Sequence, residues 1–349
     1  MQLPPSYYFL TFVTYNKNSF SMLEPKRIVF IGSGAISTAI GNVLAEKEKY
    51  DIQLLSIEKD VIASINKAHV NVKYFPNIRL HPALRATSDI SVLNNAQIIF
   101  LGIPSNVIIN YIEKNKSHFR KDAVIVNLAK GFGKGHSTIP QCISRVIDNQ
   151  VISMKGPSFA REIINQMPTA FTIASKKDKY FDLFKEIFGY TSIYLDYTND
   201  VVGTELASIL KNIYAIIVGI VDAHFDSPNL RSLVLTNAIN EMRYIISKFG
   251  GKEGTMFKYC GFGDFSLTAL NDMSRNRTLG LLIGKGFFTN YISEKVTLEG
   301  KIAVNIFIEA IVKKKFISSK KLMMNELYNV FNDEKYDLAN FVNNILKKT

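Results

Sequence analysis

The chain has 349 residues, 47% of them hydrophobic, with two cysteines, no tryptophan and a formal net charge of +12. That length suffices for two domains and a sizeable core, and an ordinary apolar fraction without low-complexity tracts excludes a disordered chain. Cys142 and Cys260 are too few and too far apart for a disulfide-stapled module, no Cys/His cluster suggests a metal site, and the longest apolar stretch, 213–221, falls well short of the ~20 residues of a membrane span. The positive charge fits either a nucleic-acid surface or a lysine-rich chain acting on an anionic substrate. The lysines are scattered and no aromatic-basic RNA motif occurs, so no nucleic-acid partner is expected. The densest runs, Lys313-Lys314-Lys315 and Lys320-Lys321, read as solvated helix faces.

Residues 1–25 read as an irregular extension. The aromatic run 7–13 has no basic residues before it and no small-residue cleavage pattern after it, so it is not read as a signal peptide, and Met22 is an alternative start. Organised sequence begins with 26–31 (KRIVFI), a buried parallel strand by its β-branched, apolar content. Gly32-Ser33-Gly34-Ala35-Ile36-Ser37 follows and runs into a helix. A second strand, 52–57, ends at Glu58. Strand, glycine turn, helix, strand and terminal acid together predict a dinucleotide-binding βαβ unit. Gly32 permits the turn, Gly34 lets the backbone approach a pyrophosphate, and the helix N-terminus offers free N–H groups. Ser37 occupies the third fingerprint position, where a small residue is needed. Glu58 is placed to accept hydrogen bonds from ribose hydroxyls and to repel a 2′-phosphate. With Lys59 the only cation close by in sequence, NADH is favoured over NADPH. The alternative for Glu58 is a solvated loop acid.

Further buried strands are predicted at 97–101, 123–128 and 151–154, ending in GIPS, AKGF and KGPSFA. Ligands of open parallel sheets bind beyond the carboxyl ends of the strands, so Lys130 and Ser158 are expected at the same crevice as Gly34. The strand pattern stops near residue 198. Residues 201–223 then read as one long helix, apolar nearly all round and therefore central to an all-α region. Lys211-Asn212 lies in its middle. Lys211 is either paired with Glu205 or snorkelling, or else it faces a cleft with its pKa lowered by burial. Further on, GFGDFSLT is a glycine turn into a polar-decorated segment, and Ser274-Arg275-Asn276-Arg277 offers the donors of a phosphate or carboxylate pocket. Gly280, Gly284 and Gly286 suggest close backbone packing or a mobile segment, and the tail after Lys315 reads as two amphipathic helices. The predicted architecture is a Rossmann α/β domain with a doubly wound, mostly parallel sheet over 26–198, followed by an all-α substrate and catalytic domain over 199–349.

The runs GSGAISTAI, NVKYFPNIRL, GIPS, NLAKGF, KGPSFAREI, PTAF, the 201–223 helix, GFGDFSLT, SRNR and LEGK, in that order, resemble the bacterial-type NAD(P)-dependent glycerol-3-phosphate dehydrogenases. The resemblance covers about residue 26 to about residue 335. It implies interconversion of dihydroxyacetone phosphate and sn-glycerol 3-phosphate with NAD(P)H, in the cytoplasm, supplying phospholipid synthesis, without a metal and with a homodimer left open. It implies Lys211 as proton donor and acceptor, with Lys130 and Asp264 as its catalytic partners. Substrate contacts fall on Lys130, Gly156, Ser158, Lys211, Asn212, Asp264, Ser274, Arg275 and Asn276. Cofactor contacts fall on Gly32, Gly34, Ala35, Ile36, Glu58, Lys130, Ala160, Arg275 and Glu299. The chain departs from the family's usual pattern at Ile36 and Ser37, where an aromatic and a glycine are common, at Ile57, where Arg or His is frequent, and at Phe265, usually Leu. Two rival readings are a related two-domain reductase of another small 2-oxo or hydroxy acid, and a non-catalytic dinucleotide-binding descendant.

Overall fold

A computed structural model describes residues 27–135, 137–287, 294–313, 322–333 and 335–347, without the side chains of 294–299, 312 and 313. The extension 1–25 and the lysines 314, 315, 320 and 321 lie outside the described residues. The strands are β1 (Arg27–Ile31), β2 (Asp51–Leu55), β3 (Arg85–Thr87), β4 (Ile98–Leu101), β5 (Val124–Asn127), β6 (Val151–Lys155), β7 (Thr169–Ala174) and β8 (Ile193–Thr198). They form one sheet in the order β3-β2-β1-β4-β5-β6-β7-β8. Every neighbouring pair is parallel except β6 and β7. Between β1 and β4 the strand order reverses, which opens a crevice at the carboxyl ends of the central strands.

The strands are apolar on both sides because helices cover both faces. Ile28, Phe30, Ile98, Phe100, Val124, Val126 and Ile152 share one core with α1 (Ala35–Ala45) and α6 (Lys179–Phe188). The alternate residues Val29, Ile31, Ile99, Leu101 and Ile125 share the other with α3 (Ser105–Asn115) and α4 (Ile139–Ile143). Phe30 and Phe100 stack across adjacent strands, ring centroids 4.5 Å apart. The remaining helices of this half are α2 (Lys59–Ala68) and α5 (Ala160–Ile164). The sequence reading placed β1, β2, β4, β5 and β6, with ends off by one or two residues, and passed over β3, β7 and β8. A cavity of about 920 Å³ among Gln97, Lys121, Asn149 and Lys177 lies at the starts of β4, β5 and β6, away from the crevice.

From residue 201 the described chain is helical: α7 (Val201–His224), α8 (Pro228–Lys248), α9 (Asp264–Leu270), α10 (Arg275–Gly284), α11 (Glu294–Lys313), α12 (Met323–Asn332) and α13 (Phe341–Leu346). By length and composition α7 could cross a membrane, yet 83% of its apolar window is buried inside the fold. Leu210, Tyr214, Ile217 and Val218 of α7 share a core with Val234 of α8, Phe265 of α9, Leu279 of α10 and Phe307 of α11. Gly219 and Gly280 let α7 and α10 touch backbone to backbone. A Cβ on Gly280 would lie 2.1 Å from the Ile216 carbonyl oxygen, and one on Gly219 would lie 2.4 Å from that of Arg277. Gly284 lies against Ile220 and Ala223 in the same way, so the close-packing expectation holds for 280 and 284. The two helices run in the same direction there, and the N-terminus of α10 points toward the Lys211 end of α7.

Candidate active site

The dinucleotide turn has the geometry its glycines require. Gly32 has φ +101°, and a Cβ there would strike the Gly102 oxygen at 2.9 Å. Gly34 is different. It has ordinary φ and ψ of −67° and 175°, and a Cβ would meet nothing nearer than Gly102 O at 4.0 Å. The fold itself therefore tolerates a side chain at 34. What glycine preserves is open space above the N-terminus of α1, where no side chain caps the first N–H groups, including those of Ala35 and Ile36. An anionic pyrophosphate fits that space and those donors. Ser37 is fully buried, and its Oγ fills the place where a Cβ on Gly102 would sit, 1.9 Å away. The serine at the third fingerprint position is thus matched by a glycine on the facing loop.

Glu58 lies three residues past β2, as the N-cap of α2. Its carboxylate is ion-paired with Lys73. This corrects the sequence reading, in which Lys59 was the only nearby cation: a tight turn after α2 carries Lys73 back. Buried Asn71 holds that turn, its Nδ2 donating to Ser33 O at 3.0 Å and Thr38 Oγ1 at 2.8 Å. A Cβ on Gly131 would strike Ser105 Oγ at 2.4 Å, so the loop after β5 touches the start of α3. Gly156 follows β6, and a Cβ there would lie 2.1 Å from Ala170 O. Ser158 Oγ donates to Gly156 O at 2.9 Å, and Ala160, half-buried, opens α5.

At the inner end of this row stands a lysine–carboxylate cluster. Asp264, 1% exposed, is the first residue of α9 and bridges two cations. Lys130 Nζ donates to its Oδ2 at 2.8 Å and Lys211 Nζ to its Oδ1 at 2.5 Å. One lysine comes from the sheet half and the other from α7, so the carboxylate joins them. Lys211 also donates to Thr268 Oγ1 at 2.8 Å, while that hydroxyl donates to the Asp264 carbonyl at 2.7 Å. Two of the three ammonium protons are thereby engaged, and the third has no partner among the described residues. Burial pushes the Lys211 pKa down to about 7; Asp264 opposes the shift and Lys130 adds to it. Lys130 remains partly exposed, and Phe132 anchors its loop by an edge contact with Phe307, centroids 5.0 Å apart.

The alternative of a Lys211–Glu205 pair is overturned: Glu205 binds Lys155 instead. Sequence reasoning singled out neither Lys155 nor Thr268. The signal for Thr268 was present, since it follows Asp264 by four residues and so shares its helix face. Ser274 caps α10, its Oγ accepting the Arg277 N–H at 3.3 Å. Arg275 is exposed and Asn276 half-buried; neither has a hydrogen-bond partner among the described residues, and nor does Asn212 beside Lys211. These three are free to meet a ligand. Arg277, by contrast, is buried and structural, binding Asp222, Asp272 and Ala269 O. Glu299 falls on α11 where side chains lie outside the described set.

Comparison with known proteins agrees with this layout. The family model described as NAD-dependent glycerol-3-phosphate dehydrogenase N-terminus matches residues 27–181, and its C-terminal counterpart matches 200–342. A glycerol-3-phosphate dehydrogenase [NAD(P)+] of Leptospira biflexa is 33% identical over 74% of this chain and 80% of its own. One from Clostridium botulinum is 31% identical over 88% and 94%. The crystal structure of glycerol-3-phosphate dehydrogenase from Coxiella burnetii superposes with a TM-score of 0.83 at 27% identity, covering 93% of this chain and 99% of the other. The chain belongs to the NAD-dependent glycerol-3-phosphate dehydrogenase family.

Proposed function

We propose that the chain interconverts dihydroxyacetone phosphate and sn-glycerol 3-phosphate with NAD(P)H. The observation that carries this reading is the Lys130–Asp264–Lys211 bridge, set beside a dinucleotide turn whose Gly34 leaves room for a ligand. The nicotinamide supplies the hydride that reduces the C2 carbonyl. Gly32, Gly34, Ala35, Ile36 and Ala160 line the backbone that would hold its phosphates. As negative charge develops on the C2 oxygen, Lys211 donates the proton its third N–H presents, and Lys130 stabilises the oxygen electrostatically. Asp264 holds both ammonium groups in place. In the oxidative direction neutral Lys211 takes the hydroxyl proton. Arg275 and Asn276 are free to grip the phosphate, with Asn212, Gly156 and Ser158 completing the substrate contacts, and that remote binding orients the reacting carbon. The division of labour gives residues 26–198 the cofactor and residues 199–349 most of the substrate contacts.

NADH is the favoured cofactor in this reading, because Glu58 follows the second strand where a 2′-phosphate would lie. Lys73 neutralises part of that repulsion, so the preference is modest. The reading also makes the chain a cytoplasmic source of glycerol 3-phosphate for phospholipid synthesis. The test is an absorbance assay at 340 nm with purified protein, dihydroxyacetone phosphate and NADH or NADPH in parallel. Substrate-dependent loss with both cofactors, faster with NADH, is expected. No loss from protein that still binds NADH would contradict the reading and point to a different 2-oxo substrate or a non-catalytic protein.

A further inference from the structure

A second buried lysine lies below the cleft and takes no part in the chemistry derived above. Lys155 is the last residue of β6 and is 0% exposed. An ammonium so placed is tolerated only if its donors are satisfied. Its Nζ donates to Asn127 O at 3.0 Å and to Ala129 O, and it is ion-paired with Glu205 Oε1 at 3.2 Å. Sealed from solvent at 0% exposure, Lys155 does not contact substrate. What matters is where its acceptors sit. Ala129 immediately precedes Lys130. Asn127 ends β5. Glu205 precedes Lys211 on α7 by six residues, roughly 9 Å of helix rise. Glu205 is itself 0% exposed and accepts from Asn127 Nδ2 at 2.9 and 3.0 Å and from Ser153 Oγ at 2.5 Å. One sealed cluster therefore ties together β5, β6 and α7, the elements that carry or adjoin both cleft lysines.

We propose that Lys155, with Glu205, is a positioning residue that fixes the Lys130 loop relative to Lys211, so that both ammonium groups meet on Asp264. The inference rests on the dehydrogenase reading for its kinetic test but not for its structural one. A neutral surface could glue the same elements together, yet it would not hold the two carbonyls of residues 127 and 129 in one fork. Those two carbonyls bracket the start of the Lys130 loop, and a small rotation there moves Lys130 away from its carboxylate.

The test compares Lys155→Met with the double variant Lys155→Met/Glu205→Gln, which removes both buried charges. The single variant leaves Glu205 without its cation and is expected to lose stability. The double variant is expected to fold, to bind NADH as the wild type does, and to keep KM for dihydroxyacetone phosphate within about threefold, while kcat falls on the order of 10²-fold from misplacement alone. Its crystal structure reads the same point without substrate: Lys130 Nζ leaves hydrogen-bond distance of Asp264. Wild-type kcat in a folded double variant, or a Lys130–Asp264 contact unchanged at 2.8 Å, overturns the proposal. A double variant that does not fold assigns the cluster to stability alone and overturns it too. Wild-type protein inactive on dihydroxyacetone phosphate would count against the substrate and leave the structural comparison to decide.

Discussion

Two buried lysines on either side of the crevice floor show how one residue type serves opposite ends. Lys155 is sealed at the end of β6, donating to two backbone carbonyls and ion-paired with Glu205. Lys211 lies on α7 and donates to Asp264 and Thr268, with no third acceptor among the described residues. Burial lowers the pKa of both. The partners differ. Among the described residues Glu205 has Lys155 as its one ionic partner, whereas Asp264 is shared by Lys211 and Lys130. An ammonium sealed against backbone carbonyls and a buried acid holds structure; one that shares its carboxylate with a second cation is ready to give up a proton.

The comparison breaks most visibly at Lys211. Lys211→Ala is expected to lower kcat by on the order of 10²–10⁴ with the fold and NADH affinity retained, because Asp264 keeps Lys130 as a counter-ion. Near-normal turnover, measured at 340 nm, would remove Lys211 from the mechanism. Next comes stability. Urea unfolding of Lys155→Met should show a loss of about 3–5 kcal/mol, the consequence of an uncompensated buried carboxylate, and Lys211→Met should lose clearly less. Equal losses would erase the distinction between the two sites. A smaller effect belongs to the helix crossing that carries Arg275 and Asn276. Gly280→Ala forces a Cβ against the Ile216 carbonyl and should destabilise by roughly 1–3 kcal/mol, seen as a lower Tm; an unchanged Tm would mean the helices separate freely. Smallest of all is the cofactor ratio. Glu58→Ala should narrow the preference for NADH and Lys73→Ala should widen it, each by a few-fold at most, as befits an exposed pair. Ratios that stay fixed in both variants would place the pair away from the ribose.

Much of this layout could be read from the chain itself. Five strands carry short runs rich in buried apolar residues, and a helix apolar all round has no place except a core. β7 and β8 escaped because β8 is half-exposed and β7 reverses direction in a sheet whose other signals were parallel. At the site, Lys130 stood out on a glycine-flanked strand end and Lys211 as a lysine in an apolar helix, whereas Asp264 was pointed to only by the family resemblance. Their meeting on one carboxylate was not, since 134 residues separate Lys130 from Asp264. The Glu58–Lys73 pair was missed for a local reason: proximity in sequence favoured Lys59, while a turn held by buried Asn71 delivers Lys73. Lys155 was read only as the residue before GPSF, because nothing in a strand's periodicity says that its last side chain turns inward to an acid on a helix.

The most direct test of the account is the pH dependence of kcat/KM in both directions on the wild-type enzyme. Reduction of dihydroxyacetone phosphate needs protonated Lys211 and oxidation of glycerol 3-phosphate needs it neutral. With its pKa pushed down to about 7, reduction should fall as pH rises through that value while oxidation rises over the same range, the midpoint belonging to the coupled Lys211–Asp264–Lys130 group. Profiles that are flat there, or that move in the same direction, would contradict Lys211 as the proton donor.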